Sequence, residues 1–373
     1  MAKLGEVCKV SASTKMIDKS KAWLLNLDMV EQQTGRVVEY NFVGEDGLNG
    51  SITQFDTENV LYSKLRPNLN KVVLPERNGF CTSELLPLRP DARKLDRSYL
   101  AVFLRSDGFV NWAVSKTAGA KVPRLGTKDL LNTNIPLPEI KEQKAIAEKF
   151  KKSEELISLR KQQLFKLDEL VKARFVEMFD AISPKKCASK IGECAEVLGG
   201  YAFKSDCFSN QGVPVVRIGN INDGRIDIDY NTCYAEEFWN KNPRFQARKY
   251  DILMAMSGAT TGKVGIYKSD ERLLINQRVA CIRARDDESA IFLFACLQLP
   301  WMYNLVQEAS AGCAQPNISG KQIETMPVPK PETSKVHQFA AFVECVDQQK
   351  QTIQQSLEKL ELMKKALMQE YFG

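Results

Sequence analysis

Two long segments of the chain carry apolar side chains at alternating steps of three and four residues. The first, residues 141–180, contains neither glycine nor proline and is dominated by good helix formers. Its apolar seam consists of Ile146, Phe150, Ile157, Leu164, Leu167, Val171 and Met178, with Ser153, Arg160 and Arg174 at the remaining three-four steps. The same steps recur 193 residues later, at Phe339, Val343, Val346, Lys350, Ile353, Leu357, Leu360, Lys364, Leu367 and Tyr371. Such spacing, held over several heptads, predicts two long helices with a coiled-coil seam.

The length of the seam indicates whether the two helices pack against each other or only against their own globular domains. At a rise of about 1.5 Å per residue, each helix would be roughly 50–60 Å long. Each helix could instead pack only on its own globular domain. The seam favours helix pairing, because it extends well beyond the 10–14 residues that are typical of a packed helix.

The helices belong to an internal repeat that covers the chain. Four pairs of segments recur in the same order, at offsets of 187 to 193: "LGEVCKV" (4–10) with "IGECAEV" (191–197), "AGAKVPRLGTKDL" (118–130) with "AGCAQPNISGKQI" (311–323), "NIPLP" (134–138) with "TMPVP" (325–329), and "LFKLDELVKARFVEMF" (164–179) with "LEKLELMKKALMQEYF" (357–372). The chain is therefore interpreted as a tandem duplication of a globular part followed by a helix.

The globular parts have the pattern of mixed α and β structure. Short β-rich runs such as "KVVLP", "VPVVRI" and "RVACIRA" are separated by turn residues, and a helix is expected at 98–114 and again at 288–308. We therefore predict an α+β protein with two tandem mixed α/β domains, each followed by a long helix. The expected boundaries are 1–140 for the first domain, 141–181 for the first helix, 182–331 for the second domain and 332–373 for the second helix.

Composition narrows the class of protein. The 373 residues suffice for about two domains, and 52 basic against 46 acidic residues give a formal charge of +6, which is compatible with a polyanionic partner. None of the ten cysteines forms a C-x-x-C pair, and no uninterrupted apolar run approaches 18 residues. We expect a cytoplasmic protein that is not in a membrane and has no zinc ribbon.

The stretch "AMSGATTGKVGIY" (255–267) looks at first like a nucleotide-binding loop. A Walker A motif needs four residues between its glycines and Ser or Thr after the lysine, whereas here three residues separate the glycines and Val264 follows Lys263. The one histidine, His337, has no partner motif for nucleophilic catalysis. The E-x-K fragment in "PEIK" (138–141) has no counterpart in the second copy. We therefore expect no catalytic residue, no metal site and no cofactor.

The repeat gives this stretch another meaning. Alignment at an offset of 192 pairs "LYSKLRPNLNKVVL" (61–74) with "LMAMSGATTGKVGI" (253–266). One copy of the loop is built with Lys, Arg and Asn, and the other with Gly, Ser and Thr. Both compositions suit contact with a polyanion, although a simple turn between two strands remains the alternative.

These features together resemble the specificity subunit of a type I restriction-modification system. The resemblance covers essentially the whole chain and rests on "LYSKLRPNLNKVVLPE", "CTSELLPLRP", "VPVVRIGNI", "INQRVACIRA" and the two units in which "IPLP" or its counterpart precedes a helix. It implies two target-recognition domains, each reading one half of a bipartite, asymmetric site on double-stranded DNA, and an antiparallel coiled coil. It also implies a non-catalytic role, with two methyltransferase subunits and restriction/translocase subunits as partners.

Candidate DNA-binding residues follow from side-chain chemistry, because Arg, Asn and Gln can read base edges while Lys and small hydroxyls suit phosphates. In the first domain they are Lys64, Arg66, Asn68, Asn70 and Lys71. In the second they are Arg217, Asn220, Ser257, Thr260, Thr261, Lys263, Asn276, Gln277 and Arg278. Two other hypotheses stay open at this point, a stand-alone methyltransferase or nuclease and a coiled-coil scaffold without affinity for DNA.

Overall fold

The chain folds into two compact units. A computed structural model describes residues 1–15, 22–44, 46–48, 50–117, 123–222, 224–311, 316–330 and 332–373. Unit 1 comprises Met1–Lys161 and Gln355–Gly373, and unit 2 comprises Gln162–Gln354. The two longest helices, α5 (Ile140–Phe179) and α11 (Thr333–Phe372), each contribute one part to each unit.

In its described residues, unit 1 combines β-sheet with short helices. A four-stranded antiparallel sheet has the order β2-β8-β5-β6, a three-stranded sheet has the order β3-β7-β4 with β3 and β7 parallel, and β1 pairs with β9. Its elements other than the long helices are β1 (Ala2–Lys3), α1 (Leu4–Val7), β2 (Cys8–Val10), β3 (Leu24–Leu25), β4 (Ile52–Phe55), β5 (Val60–Ser63), β6 (Val72–Val73), β7 (Gly79–Thr82), β8 (Leu85–Pro90), α2 (Arg97–Leu104), α3 (Asp107–Ser115), α4 (Thr127–Asn132) and β9 (Asn134–Ile135).

Unit 2 repeats much of this plan in its described residues. A four-stranded antiparallel sheet has the order β11-β19-β16-β17, a three-stranded sheet has the order β15-β12-β18 with β12 and β18 parallel, and β10 pairs with β20. Its elements other than the long helices are β10 (Ser189–Lys190), α6 (Ile191–Cys194), β11 (Ala195–Gly199), β12 (Val213–Val216), β13 (Ile221–Asn222), β14 (Arg225–Ile226), β15 (Cys233–Tyr234), α7 (Glu236–Lys241), β16 (Ile252–Ala255), β17 (Val264–Ile266), β18 (Leu274–Ile275), β19 (Val279–Ala284), α8 (Asp287–Leu297), α9 (Pro300–Ser310), α10 (Gly320–Glu324) and β20 (Pro327–Val328).

The long helices run antiparallel within each unit. In unit 1 the start of α5 meets the end of α11, where Lys364 donates to a Glu154 carboxylate oxygen over 2.8 Å. In unit 2 the end of α5 meets the start of α11, and the rings of Phe175 and Phe339 lie 5.3 Å apart. This confirms the prediction of two paired helices, and the alternative in which each helix packs only on its own domain is wrong.

The C-terminal end of each long helix completes the core of a unit. In unit 1 the ring of Phe372 lies 5.3 Å from Tyr99 and 5.9 Å from Phe103, both on α2. In unit 2 the ring of Phe179 lies 4.8 Å from Phe292 on α8. The last turn of α11 is thus part of the same core as residues near the start of the chain.

The end of the first seam differs from its expected course. At the end of α5 the buried side chains are Phe175 and Phe179, one residue beyond the predicted Arg174 and Met178. An undistorted helix has 3.6 residues per turn, so a strict three-four pattern drifts around it. The large aromatic side chains continue the buried face into the core of unit 2.

Both predicted globular helices are broken in the structure. The helix expected at 98–114 is split into α2 and α3, because Ser106 caps a new helix by accepting a hydrogen bond from the Phe109 N–H at 3.2 Å. The helix expected at 288–308 is split into α8 and α9, where Pro300 occupies the first turn of α9. Proline lacks the N–H that would continue the preceding helix, but it is well suited to a first turn.

A buried aspartate–arginine pair ties the four-stranded sheet of each unit together. In unit 1 Arg89 on β8 binds Asp56 over 2.6 Å, and in unit 2 Arg283 on β19 binds Asp251, also over 2.6 Å. The Asp56 and Asp251 side chains are only 1% and 2% exposed. Burial of its carboxyl opposes ionisation, but hydrogen bonds from Ser13, Arg89 and a backbone N–H prevail and lower the pKa of Asp56 to about 2.

Candidate nucleic-acid interface

In unit 1 the candidate loop between β5 and β6 is held by a second segment, Pro123–Leu125. The N–H of Arg66 donates to the Pro123 carbonyl over 2.8 Å, and the N–H of Leu125 donates to the Lys64 carbonyl over 2.9 Å. Backbone bonds of this kind satisfy peptide groups of both segments and hold the two segments side by side.

Unit 2 has the same arrangement about 192 residues later. The N–H of Gly258, in the loop between β16 and β17, donates to the Pro316 carbonyl over 3.1 Å, and the N–H of Ile318 donates to the Met256 carbonyl over 2.9 Å. The offset also carries β5 onto β16 residue for residue. The alignment at an offset of 192 is therefore also a structural correspondence.

Two further segments meet this loop at the ends of the parallel strand pair. In unit 2 the N–H of Met256 donates to the Arg278 carbonyl over 2.9 Å, and the N–H of Asn276 donates to the Val216 carbonyl over 3.1 Å. In unit 1 the N–H of Lys64 donates to the Glu84 carbonyl over 3.3 Å. We call the four converging segments the loop edge: 26–29, 64–71, 82–84 and 123–125 in unit 1, and 217–220, 256–263, 276–278 and 316–318 in unit 2.

The two glycines that made this stretch look like a nucleotide-binding loop have a conformational role. Gly258 and Gly262 have φ of 80° and 84°, in the left-handed region that glycine adopts without steric cost. At the corresponding positions of unit 1, Arg66 and Asn70 have φ of 46° and 51°. The stretch is thus a turn with a left-handed residue near each end in both units.

The candidates of unit 1 lie in two environments. Arg66 and Asn68 are exposed and Lys64 is half-buried. Asn70 is buried, and its amide donates to the Arg105 carbonyl over 3.0 Å. The Lys71 ammonium donates to the Leu27 carbonyl over 2.7 Å, and burial lowers its pKa. Asn70 and Lys71 therefore hold the loop in place, while the other three can reach a ligand.

In unit 2 the small hydroxyls of the loop point inward. Thr261 is 2% exposed and its hydroxyl donates to the Gly258 carbonyl over 2.7 Å. The hydroxyls of Ser257 and Thr260 are buried, with no hydrogen-bond partner among the described residues. Lys263 lines a groove whose walls include residues of α5 and α11. These four residues thus face the interior or that groove more than the outer surface.

The remaining candidates of unit 2 meet at its loop edge. Asn220 and Asn276 use their side-chain oxygens to accept the N–H groups of Arg217 and Arg278, over 2.9 and 3.3 Å. Arg217, Gln277 and Arg278 are exposed. The structure therefore brings these five residues into one region, with the two asparagines shaping the backbone that presents the two arginines.

One exposed cation of unit 1 is not among the candidate residues that the sequence predicted. Arg124 lies beside Arg66, because its neighbours Pro123 and Leu125 are bonded to the β5–β6 loop. The repeat had marked "VPRLG" and "QPNIS" as equivalent, but nothing in that match showed that the segment reaches the candidate loop. The contact spans about 60 residues of sequence.

The described part of the chain contains no group of three or more His, Cys, Asp or Glu side chains placed to hold a metal ion. No single helix there is long and apolar enough to cross a membrane, although α8 and α9, bent by 74°, pass a test of length and composition as a pair.

Known proteins are similar to this chain over most of its length. The family described as type I restriction modification DNA specificity domain matches residues 1–169 and 185–362. The type I restriction enzyme MjaVIII specificity subunit of Methanocaldococcus jannaschii is 26% identical over 315 residues, covering 78% of this chain and 73% of its own. The EcoBI specificity subunit of Escherichia coli is 24% identical over 268 residues, covering 64% of this chain and 56% of its own.

Solved structures share the fold. The type I restriction-modification S subunit from M. genitalium superposes with a TM-score of 0.59 at 14% identity, covering 100% of this chain and 95% of that one. A chain from work on complex assembly and conformational transition of the type I R-M system gives a TM-score of 0.59 at 19% identity, covering 100% and 96%. Two α/β domains, each followed by a long helix, are common to this fold.

Proposed function

Since the chain belongs to the type I restriction-modification DNA specificity family, we propose that its two units each read one half of a bipartite, asymmetric site on double-stranded DNA. Membership makes it the non-catalytic specificity subunit of such a system. Each loop edge enters or lies along a groove of the duplex and contacts bases and phosphates there.

One observation carries the proposal. The two units build the same loop edge from the same backbone bonds, yet fill it with different side chains, for example Arg66 where unit 2 has Gly258. A shared frame supports the proposal that both units bind DNA through the same edge of the domain. Different side chains on that frame explain why the two half-sites differ, so the target as a whole is asymmetric.

The helices supply the surface for the proposed protein partners. Exposed apolar side chains lie along them: Leu156, Leu159 and Leu170 on α5, and Leu362 and Met363 on α11. We propose that two methyltransferase subunits dock there and that restriction/translocase subunits complete a cytoplasmic complex. Exposed apolar side chains on the helices would be covered by such partners.

The test uses the chain together with its methyltransferase partner. Methylated bases are mapped genome-wide in cells with and without this protein. We expect one bipartite asymmetric motif to lose methylation when the protein is absent. Duplexes carrying that motif should then be shifted by the assembled complex in preference to scrambled duplexes. Methylation by the isolated chain would favour a stand-alone enzyme, and a complex that ignores the motif would favour a scaffold.

A further inference from the structure

The equivalent loop edges differ in where their cations lie. In unit 1, Lys64, Arg66 and Arg124 come from the two segments joined by the Arg66–Pro123 and Leu125–Lys64 backbone bonds. None of the three has an ion-pair partner among the residues that the structure describes. At the equivalent positions unit 2 has uncharged residues: Met256, Gly258 and Asn317.

Arg66 is held in a conformation that disfavours it. Its φ of 46° and ψ of 66° lie in the left-handed region, which strains a long side chain, whereas Gly258 adopts the same kind of turn freely. Its side chain makes no hydrogen bond within the described chain, so it does not help to hold the turn. A strained residue without an internal role points to a role toward a ligand.

In unit 2 the exposed arginines lie on the other two segments of the edge, while Lys263 on the loop lines the groove beside α5 and α11. Arg278 is exposed, and the Arg217 guanidinium is oriented by the Thr232 hydroxyl at 3.0 Å, by the Asp229 carboxylate at 3.5 Å and by the ring of Phe208 at 5.9 Å. The parallel strand pairs place Asn26 and Glu84 of unit 1 at these positions. A carboxylate at Glu84 repels phosphate, so unit 1 cannot use this segment in the same way.

We propose that the two units grip DNA with different segments of the same frame. Unit 1 uses the β5–β6 loop and its bonded neighbour, with Arg66 and Arg124 as the principal contacts. Unit 2 uses the ends of its parallel strands, with Arg217 and Arg278. The inference rests on the proposed function, and it adds which residues bind and which equivalent residues do not.

The experiment measures binding of the assembled methyltransferase complex to a duplex carrying its methylated motif, over a range of salt concentrations. Arg66→Gly should bind at least about fivefold more weakly, and its salt dependence should fall by about one unit of slope if the lost contact is to phosphate. Its melting temperature should be unchanged or higher, because glycine relieves the left-handed strain. Arg124→Ala, free of any backbone effect, should weaken binding similarly.

Matched variants of the other unit complete the design. Asn317→Ala, at the position equivalent to Arg124, should leave affinity and salt slope unchanged. Arg278→Ala should weaken binding, whereas Glu84→Ala, at the equivalent position of unit 1, should not. Unchanged affinity in both Arg66→Gly and Arg124→Ala would overturn the inference, and so would weakening by Glu84→Ala. Failure of the proposed function is distinct, because the wild-type complex would then show no preference for the motif.

Discussion

At the scale of single residues, a buried carboxylate is the clearest structural element shared by the two units. Asp56 accepts hydrogen bonds from Ser13 over 2.7 Å and from Arg89 over 2.6 Å, and the N–H of Glu58 donates to its other oxygen over 2.8 Å. Removing one partner of such a pair leaves the other charge poorly compensated, which costs more than the pair itself contributes. The loop edge depends on this sheet for its position.

The lowered pKa of Asp56 predicts an acid-sensitive contribution to stability. A carboxyl whose pKa falls from 3.8 to about 2 on folding stabilises the protein above pH 3.8 and loses that contribution as the pH falls toward 2. Asp56→Asn should therefore lower the free energy of unfolding by about 1.5–3 kcal/mol at neutral pH. Chemical denaturation at several pH values should show the difference from wild type shrinking between pH 4 and pH 2.

Glu58→Gln is the matched control for this prediction. Glu58 also binds Arg89, over 2.7 Å, but its side chain is 62% exposed. An exposed pair contributes at most about 1 kcal/mol, so the variant should remain close to wild type. If both variants lower the free energy of unfolding by the same amount, burial of Asp56 does not make its pair with Arg89 more stabilising than the exposed pair.

Residue chemistry alone predicted part of the loop edge. Arg66 and Arg278 could be chosen because arginine is the residue best suited to bases and phosphates, and both prove to be exposed. Asn70 and Lys71 are equally polar, but their side chains bind backbone carbonyls within unit 1. Asn70 and Lys71 face inward because of carbonyls that lie 35 and 44 residues away in sequence. A local sequence pattern cannot predict contacts over such separations.

At the scale of elements, each long helix is a structural part of both units. Phe150 near the start of α5 and Phe372 at the end of α11 lie 6.3 Å apart in the core of unit 1. The periodic seam predicted both helices and their pairing, because a three-four pattern is a local property. The buried Phe175 and Phe179 lay outside that pattern, since each packs on Phe292 in the globular part of unit 2 as well as on α11.

The aromatic end of α11 should therefore govern the stability of unit 1. Phe372 is 9% exposed and packs on Tyr99 and Phe103, so Phe372→Ala should cost about 3–5 kcal/mol through lost burial and a cavity. Hydrogen exchange should show the loss as reduced protection of amides in α2.

Leu362→Ala tests the same helix at an exposed position. Its side chain is 69% exposed, so stability should change by no more than about 0.5 kcal/mol. Undiminished protection of α2 in the Phe372→Ala variant would show that unit 1 does not depend on the end of the chain.

At the scale of the whole molecule, the duplication gives one chain two units, each proposed to recognise one half of the DNA site. Each unit has its own buried core, its own ion pair and its own loop edge. Arg124 and Arg278 belong to different units and share no partner among the described residues. Substitutions without shared partners usually have additive effects, within about 0.5 kcal/mol.

Binding by the assembled complex should reveal this separation. Arg124→Ala should relax the preference for bases in one half of the motif. Arg278→Ala should relax the preference for bases in the other half, because the two arginines belong to different units. The double variant should lose affinity by the product of the two single losses. The measurement is competition between duplexes in which one half-site at a time is altered, and relaxation of the same half by both variants would contradict the assignment of one half to each unit.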